Sequence, residues 1–127
     1  MSTILVIDDE KRIAALILEA LSMFGHEVEI ATDGQDGIRK FDNRKFDLVI
    51  TDIRMPGADG NRVAHHIRNS EKKYTPIIGM SGTPWLLEND EFDLVISKPF
   101  PLQILIESVE NLPDLTACDN LRRVSYR

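Results

Sequence analysis

The residues most able to do chemistry together are Asp8, Asp9, Asp52, Ser81 and Lys98. Each stands where a short apolar run ends. Thr3 to Ile7 gives way to Asp8-Asp9, Phe46 to Thr51 to Asp52, Pro76 to Met80 to Ser81, and Leu94 to Ile96 to Ser97-Lys98-Pro99. Carboxylates gathered in one crevice repel each other unless a cation compensates. Lys98 offers one positive charge. A set of carboxylates, a backbone carbonyl and water suits Mg2+, a hard ion that keeps several waters. A metal, an ammonium and a hydroxyl around a carboxylate would neutralise the charge on a phosphoryl group in transfer. The carboxylate can itself be the nucleophile, giving an acyl phosphate, and an ionised carboxylate needs no general base.

These side chains can cooperate only if the fold carries them to one place. The runs that precede them are rich in Ile, Val and Leu, as expected of strands buried on both faces. Between them the apolar spacing turns helical: Ile13, Leu16, Ile17, Ala20, Leu21 and Phe24, with Gly25 as a stop. Glu27 to Ala31 reads as a second strand, Asp33-Gly34 as a turn, and Gln35 to Asp42 and Asn61 to Asn69 as helices, with a Pro- and Gly-bearing loop from Met55 to Gly60. Thr83-Pro84 reads as a helix cap followed by proline in the first turn. Leu102, Leu105, Ile106, Val109 and Leu112 form a last amphipathic helix that Pro113 is expected to end. The result is (βα)5, an α/β chain with a parallel sheet, right-handed crossovers and helices on both faces. In such sheets the functional crevice lies at the carboxyl ends of the strands, where the residues above fall.

The bulk numbers agree with one such domain and exclude several functions. The chain has 127 residues, 43% of them apolar, with a net charge of -6 and one cysteine, Cys118. An acidic balance argues against direct nucleic-acid binding, which wants clustered Lys and Arg. A single cysteine excludes an intrachain disulfide and suits a reducing cytoplasm. No apolar run reaches the roughly 18 residues of a membrane span, and Met1-Ser2-Thr3 leads into an apolar run without a basic leader, so no secretory signal is expected. The domain is taken as residues 1–113, with 114–127 as a tail or linker stub.

In this order the motifs resemble one family. Asp8-Asp9 after the first strand, Asp52-Ile53-Arg54-Met55-Pro56 with Gly60 after the third, Ser81-Gly82 after the fourth and Lys98-Pro99-Phe100 after the fifth are similar to the receiver domains of two-component response regulators, the CheY-like family. The resemblance spans residues 3 to 112. It implies a flavodoxin-like sheet of order 2-1-3-4-5 and a phosphorylation switch, a signalling module rather than an enzyme. It implies that Asp52 is the phosphoacceptor and that Asp9, Asp52 and the Arg54 carbonyl bind Mg2+, with Asp8 acting through water. Lys98 would pair with the phosphoryl oxygens, Ser81 would supply a switching hydroxyl, and Gly82 would leave room beside the phosphate. The Lys98-Pro99 bond would be cis. Implied partners are a histidine kinase or phosphotransfer protein and a downstream protein target; pairing with a second copy of the chain is left open.

The chain departs from the family in three places. Val95 stands three residues before the lysine, where an aromatic is usual. The span from Ser81 to Lys98 is short, so the fourth helix is expected to be confined to about Pro84 to Asp90, with Trp85 on it. Pro101 replaces a polar cap before the last helix. Two alternatives place the site differently. A phosphohydrolase of the haloacid dehalogenase type wants an acid two residues after its nucleophile, where this chain has Arg54. A flavodoxin-like nucleotide binder wants a phosphate loop after the first strand, where this chain has Asp8-Asp9-Glu10. A receiver cut from a larger regulator, and one that no longer accepts phosphate, complete the set. His65 and His66, adjacent on a helix, point to different faces and are expected to be exposed rather than to share a metal. The tail, with Arg122, Arg123 and Arg127, is open to docking, to a linker role or to disorder.

Overall fold

A computed structural model describes residues 2–84, 90–117 and 125–126, with side chains described up to residue 111. The elements run β1 (Thr3–Ile7), α1 (Lys11–Met23), β2 (Glu27–Ala31), α2 (Gly34–Asn43), β3 (Leu48–Asp52), α3 (Gly60–Arg68), β4 (Ile77–Ser81), β5 (Leu94–Ser97), α4 (Leu102–Ala117) and β6 (Ser125–Tyr126). The five expected strands are all parallel, in the order 2-1-3-4-5, and β6 extends the sheet beyond β5.

Alternation along the strands sorts the core into two layers. Leu5 and Ile7 of β1, Val49 of β3, Ile77 of β4 and Val95 of β5 face α2 and α3, where they meet Phe41, Val63, Ala64 and Ile67. Ile4, Val6, Leu48, Ile50, Ile78, Met80, Leu94 and Ile96 face α1 and α4, where they meet Ile17, Leu21, Leu105 and Val109. Full burial of each such Ile, Leu or Val contributes roughly 1.5–3 kcal/mol. Asp33 caps α2 by accepting the Asp36 N–H at 2.7 Å, and Asp59 caps α3 by accepting that of Arg62 at 3.0 Å.

One expectation needs correction, one left open is answered in part, and one lies beyond the described residues. Helix α4 does not stop at Leu112: it runs through Pro113 to Ala117. A proline inside a helix forfeits one backbone bond and kinks or breaks it at some cost, and here the helix carries on beyond it. The tail also supplies a strand: Ser125 and Tyr126 lie in register with Val95 and Ile96. Two residues are too few for any period to be read from sequence. Of the fourth helix expected over Pro84 to Asp90, residues 85–89, Trp85 among them, lie outside the described residues. Thr83 donates its N–H to Ser81 Oγ at 3.0 Å, and Pro84 is buried.

Candidate phosphoacceptor and metal site

Strand register brings the rim together. Ile7 pairs with Thr51 and Asp52 with Met80, so the residue after β1, Asp8, lies beside Asp52, and Ser81 lies one step past Asp52's neighbour. Ser81 in turn pairs with Ser97, and Lys98 follows directly; its N–H donates to the Ser81 carbonyl at 2.7 Å. Lys98 Nζ reaches 3.3 Å from Asp52 Oδ1 and 3.9 Å from Asp8 Oδ2. Carboxylate oxygens of Asp8, Asp9 and Asp52 all lie within 4.8 Å of one another.

The three acids differ in their surroundings. Asp8 is fully buried, Asp52 nearly so, and Asp9 is exposed. Asp8 Oδ1 accepts the Glu10 N–H at 2.9 Å, but Asp8 Oδ2 is buried with no hydrogen-bond partner among the described residues. Burial pushes the Asp8 carboxyl up to about 6, against the opposing pull of the Glu10 N–H and Lys98. Burial also raises Asp52, with Lys98 pulling the other way. A buried carboxylate oxygen left without a donor is costly, and an all-oxygen donor set with surplus negative charge fits a hard divalent cation. The residues present therefore fit Mg2+.

The remaining expected residues fall as follows. Ser81 is buried, and its Oγ, already accepting from Thr83, keeps its own proton to donate. Gly82 has open space where a Cβ would stand. Arg54 is exposed in the loop after β3, while Ile53 and Met55 on either side of it are in the core. The Lys98-Pro99 bond is cis. Val95 is buried under α3. His65 and His66 point to different partners, Glu91 at 3.3 Å and Asp42 at 2.8 Å.

Gly60 fixes the loop that carries Arg54. Its N–H donates to the Ile53 carbonyl at 2.9 Å, and a Cβ there would lie 2.5 Å from the Asp52 carbonyl oxygen and 2.7 Å from Ile53 Cα. Both are backbone atoms that cannot swing aside. Gly60→Ala is expected to lower stability by about 2 kcal/mol, as overpacking does, and to weaken divalent-cation binding by displacing Asp52. Urea denaturation and a Mg2+ titration check this.

Comparisons with known proteins agree with this geometry. Residues 4–110 match the model of the response regulator receiver domain. The chain is 32% identical over 114 residues to the transcriptional regulatory protein TrcR of Mycobacterium tuberculosis, covering 86% of this chain and 44% of that one. It is 34% identical over 113 residues to the CAI-1 autoinducer sensor kinase/phosphatase CqsS of Vibrio cholerae, covering 84% and 16%. Both relatives are thus more than twice as long as the matched region. Among solved structures, the response regulator TrrA of Thermotoga maritima in complex with Mg2+ and BeF superposes with a TM-score of 0.80 at 37% identity, covering 88% of this chain and 99% of that one. The match over most of the chain, with a strand order and rim that fit it, means that this chain belongs to the response regulator receiver family of two-component signalling systems.

Proposed function

We propose that this domain takes a phosphoryl group on Asp52 from a histidine kinase or phosphotransfer protein, and that the modified form changes its contacts with a protein target. The observation that carries this reading is the rim itself: Lys98 Nζ at 3.3 Å from Asp52 Oδ1, beside an Asp8 oxygen with no hydrogen-bond donor. Asp52 attacks phosphorus through a carboxylate oxygen; the new P–O bond forms as the bond to the donor nitrogen breaks. Lys98 neutralises the phosphoryl oxygens, and the Ser81 hydroxyl donates to one of them. Asp9, Asp52 and the Arg54 carbonyl would hold Mg2+, with Asp8 acting through water. When bound, the ion neutralises charge on the transferring group. Gly82 leaves the phosphoryl group room. The domain assists its own phosphorylation and turns over no separate substrate, and it works in the cytoplasm without contacting nucleic acid itself. Output lies in protein contacts, including those of any longer regulator of which it forms the receiver.

Small phosphodonors test this. With acetyl phosphate and Mg2+ the intact mass is expected to rise by one phosphoryl group, hydroxylamine to remove it, and peptide mapping to place it on Asp52. Asp52→Asn should stay unlabelled. Labelling at another residue, or equal labelling of the variant, would defeat the proposal. The hydrolase alternative predicts turnover of a phosphomonoester without lasting modification, and Arg54 in place of a second acid argues against it.

A further inference from the structure

Val95 leaves the face of β4 and β5 beneath α3 short of an aromatic, and the space is filled from elsewhere. Phe92, three residues before Val95 in the short connection into β5, is 1% exposed. It joins the layer formed by Ile53, Met55, Val63, Ile67, Ile77 and Val95. Ile53 directly follows Asp52. Its N–H donates to the Met80 carbonyl at 3.0 Å, and its carbonyl accepts from Gly60, so its backbone is held between β4 and α3. Phe92 and Ile53 both reach over Gly79, the residue paired in register with Val95. A Cβ on Gly79 would lie 2.9 Å from Ile53 Cδ1 and 2.9 Å from Phe92 Cδ1, so only glycine leaves room for the two to share that spot.

The main chain around Phe92 is pinned. Arg68 Nε donates to the Glu91 carbonyl at 3.1 Å and its guanidinium to Asp93 Oδ2 at 2.8 Å. Asp93 Oδ2 also accepts the Ile77 N–H at 2.8 Å, and the Asp93 N–H donates to the Ile77 carbonyl at 2.9 Å. A close-packed interior passes a displacement on rather than absorbing it.

We infer that Phe92 is a positioning residue: through the buried space over Gly79 that it shares with Ile53 it couples the state of Asp52 to the entry of β5 and, by way of Arg68, to the end of α3. The Asp52–Ile53 backbone moves when Asp52 gains its anion, Ile53 presses on the ring, and the segment 91–93 shifts with it. The signal therefore leaves on the surface formed by α3 and residues 90–93. This inference rests on Asp52 as the phosphoacceptor.

The test uses the full chain with Mg2+ and beryllofluoride as the phosphoryl mimic. Affinity is measured separately from the response, which is read as amide hydrogen exchange at residues 91–96. The parent is expected to bind the mimic and change protection at 91–96 by about fivefold or more. Phe92→Leu should bind with affinity within about threefold of the parent and lose most of that change. A double-mutant cycle of Ile53→Val and Phe92→Leu, read by urea denaturation, should give a coupling that differs between the free and mimic-bound states. A purely structural contact gives the same coupling in both. Equal couplings, or an unchanged response at 91–96 in Phe92→Leu, would overturn the inference. Where Phe92→Leu does not fold, Phe92→Met is measured in the same way. A parent that fails to bind the mimic refutes the Asp52 reading, and the coupling with it.

Discussion

Asp8→Asn is expected to fold more stably than the parent at pH 7, by about 3 kcal/mol, while losing its response to divalent cations. The reason is that Asp8 Oδ2 is buried without a hydrogen bond, with Lys98 Nζ no nearer than 3.9 Å, and that burial pushes the carboxyl up to about 6. A group whose pKa is raised in the folded state favours folding in its protonated form. That contribution is complete below the ordinary carboxylate pKa of about 4, fades as the pH rises, and is gone above about 6. Asp52, also raised, acts in the same direction. The parent therefore loses both contributions between pH 4 and 7, whereas Asp8→Asn keeps the share of its neutral amide and loses only that of Asp52. The amide oxygen can still accept the Glu10 N–H, and its NH2 takes the place of Oδ2, which lies 3.9 Å from Lys98 Nζ in the parent. Urea denaturation should show parent and variant equal near pH 4 and diverging towards pH 7. Added Mg2+ should stabilise the parent by mass action and leave Asp8→Asn nearly unmoved. A variant less stable than the parent at pH 7 would mean that the carboxylate is already compensated in the folded protein.

The same pair of residues marks how far the sequence carries. That Asp8, Asp9, Asp52, Ser81 and Lys98 share a rim follows from parallel strands, because each residue closes an apolar run and all such runs end on one side. Which acid of the pair is buried does not follow. Asp8 goes inward because the pairing continues one step past Ile7, its N–H donating to the Ala31 carbonyl at 3.1 Å, whereas Asp9 has left the sheet. The layers of the core were legible from the apolar runs, and the tail strand was not. Phe92 escaped sequence reasoning for a related reason. It sits in a connector, and an aromatic two residues ahead of an apolar run gives no sign of which face it will cover. The signal was there in part: a connection of few residues leaves a face of β4 and β5 to be covered, and Phe92 stands two residues before β5.

Arg68→Ala is expected to be the most destabilising of the polar substitutions considered, by about 3 kcal/mol, the scale on which a largely buried pair is broken by removing one member. Nothing in the sequence singles Arg68 out, because its partners lie up to 25 residues away. In the structure it stands at the end of α3, under the entry to β4 and β5. Its side chain donates to the carbonyls of Lys73 at 2.8 Å, Thr75 at 2.7 Å and Glu91 at 3.1 Å, and to Asp93 Oδ2 at 2.8 Å. Arg68 and Asp93 are 21% and 19% exposed in their side chains, so water replaces these bonds only in part. Alanine strands three carbonyls and a carboxylate at once; Arg68→Lys, with a point charge in place of a planar fork, recovers only a fraction. Asp93→Asn should cost less, because its amide oxygen can still accept the Ile77 N–H that the carboxylate accepts in the parent. A double-mutant cycle of Arg68→Ala and Asp93→Asn should then show strong coupling. These groups lie at the opposite ends of the strands from Asp52 and Lys98, so Arg68→Ala below its melting temperature should still bind Mg2+ and beryllofluoride with near-parental affinity. What it should lose is the change in hydrogen exchange along α3, because the link from residues 91–93 to that helix has been cut. A variant as stable as the parent, or one that still passes the change to α3, would show that the guanidinium neither holds the base of the sheet nor carries the response.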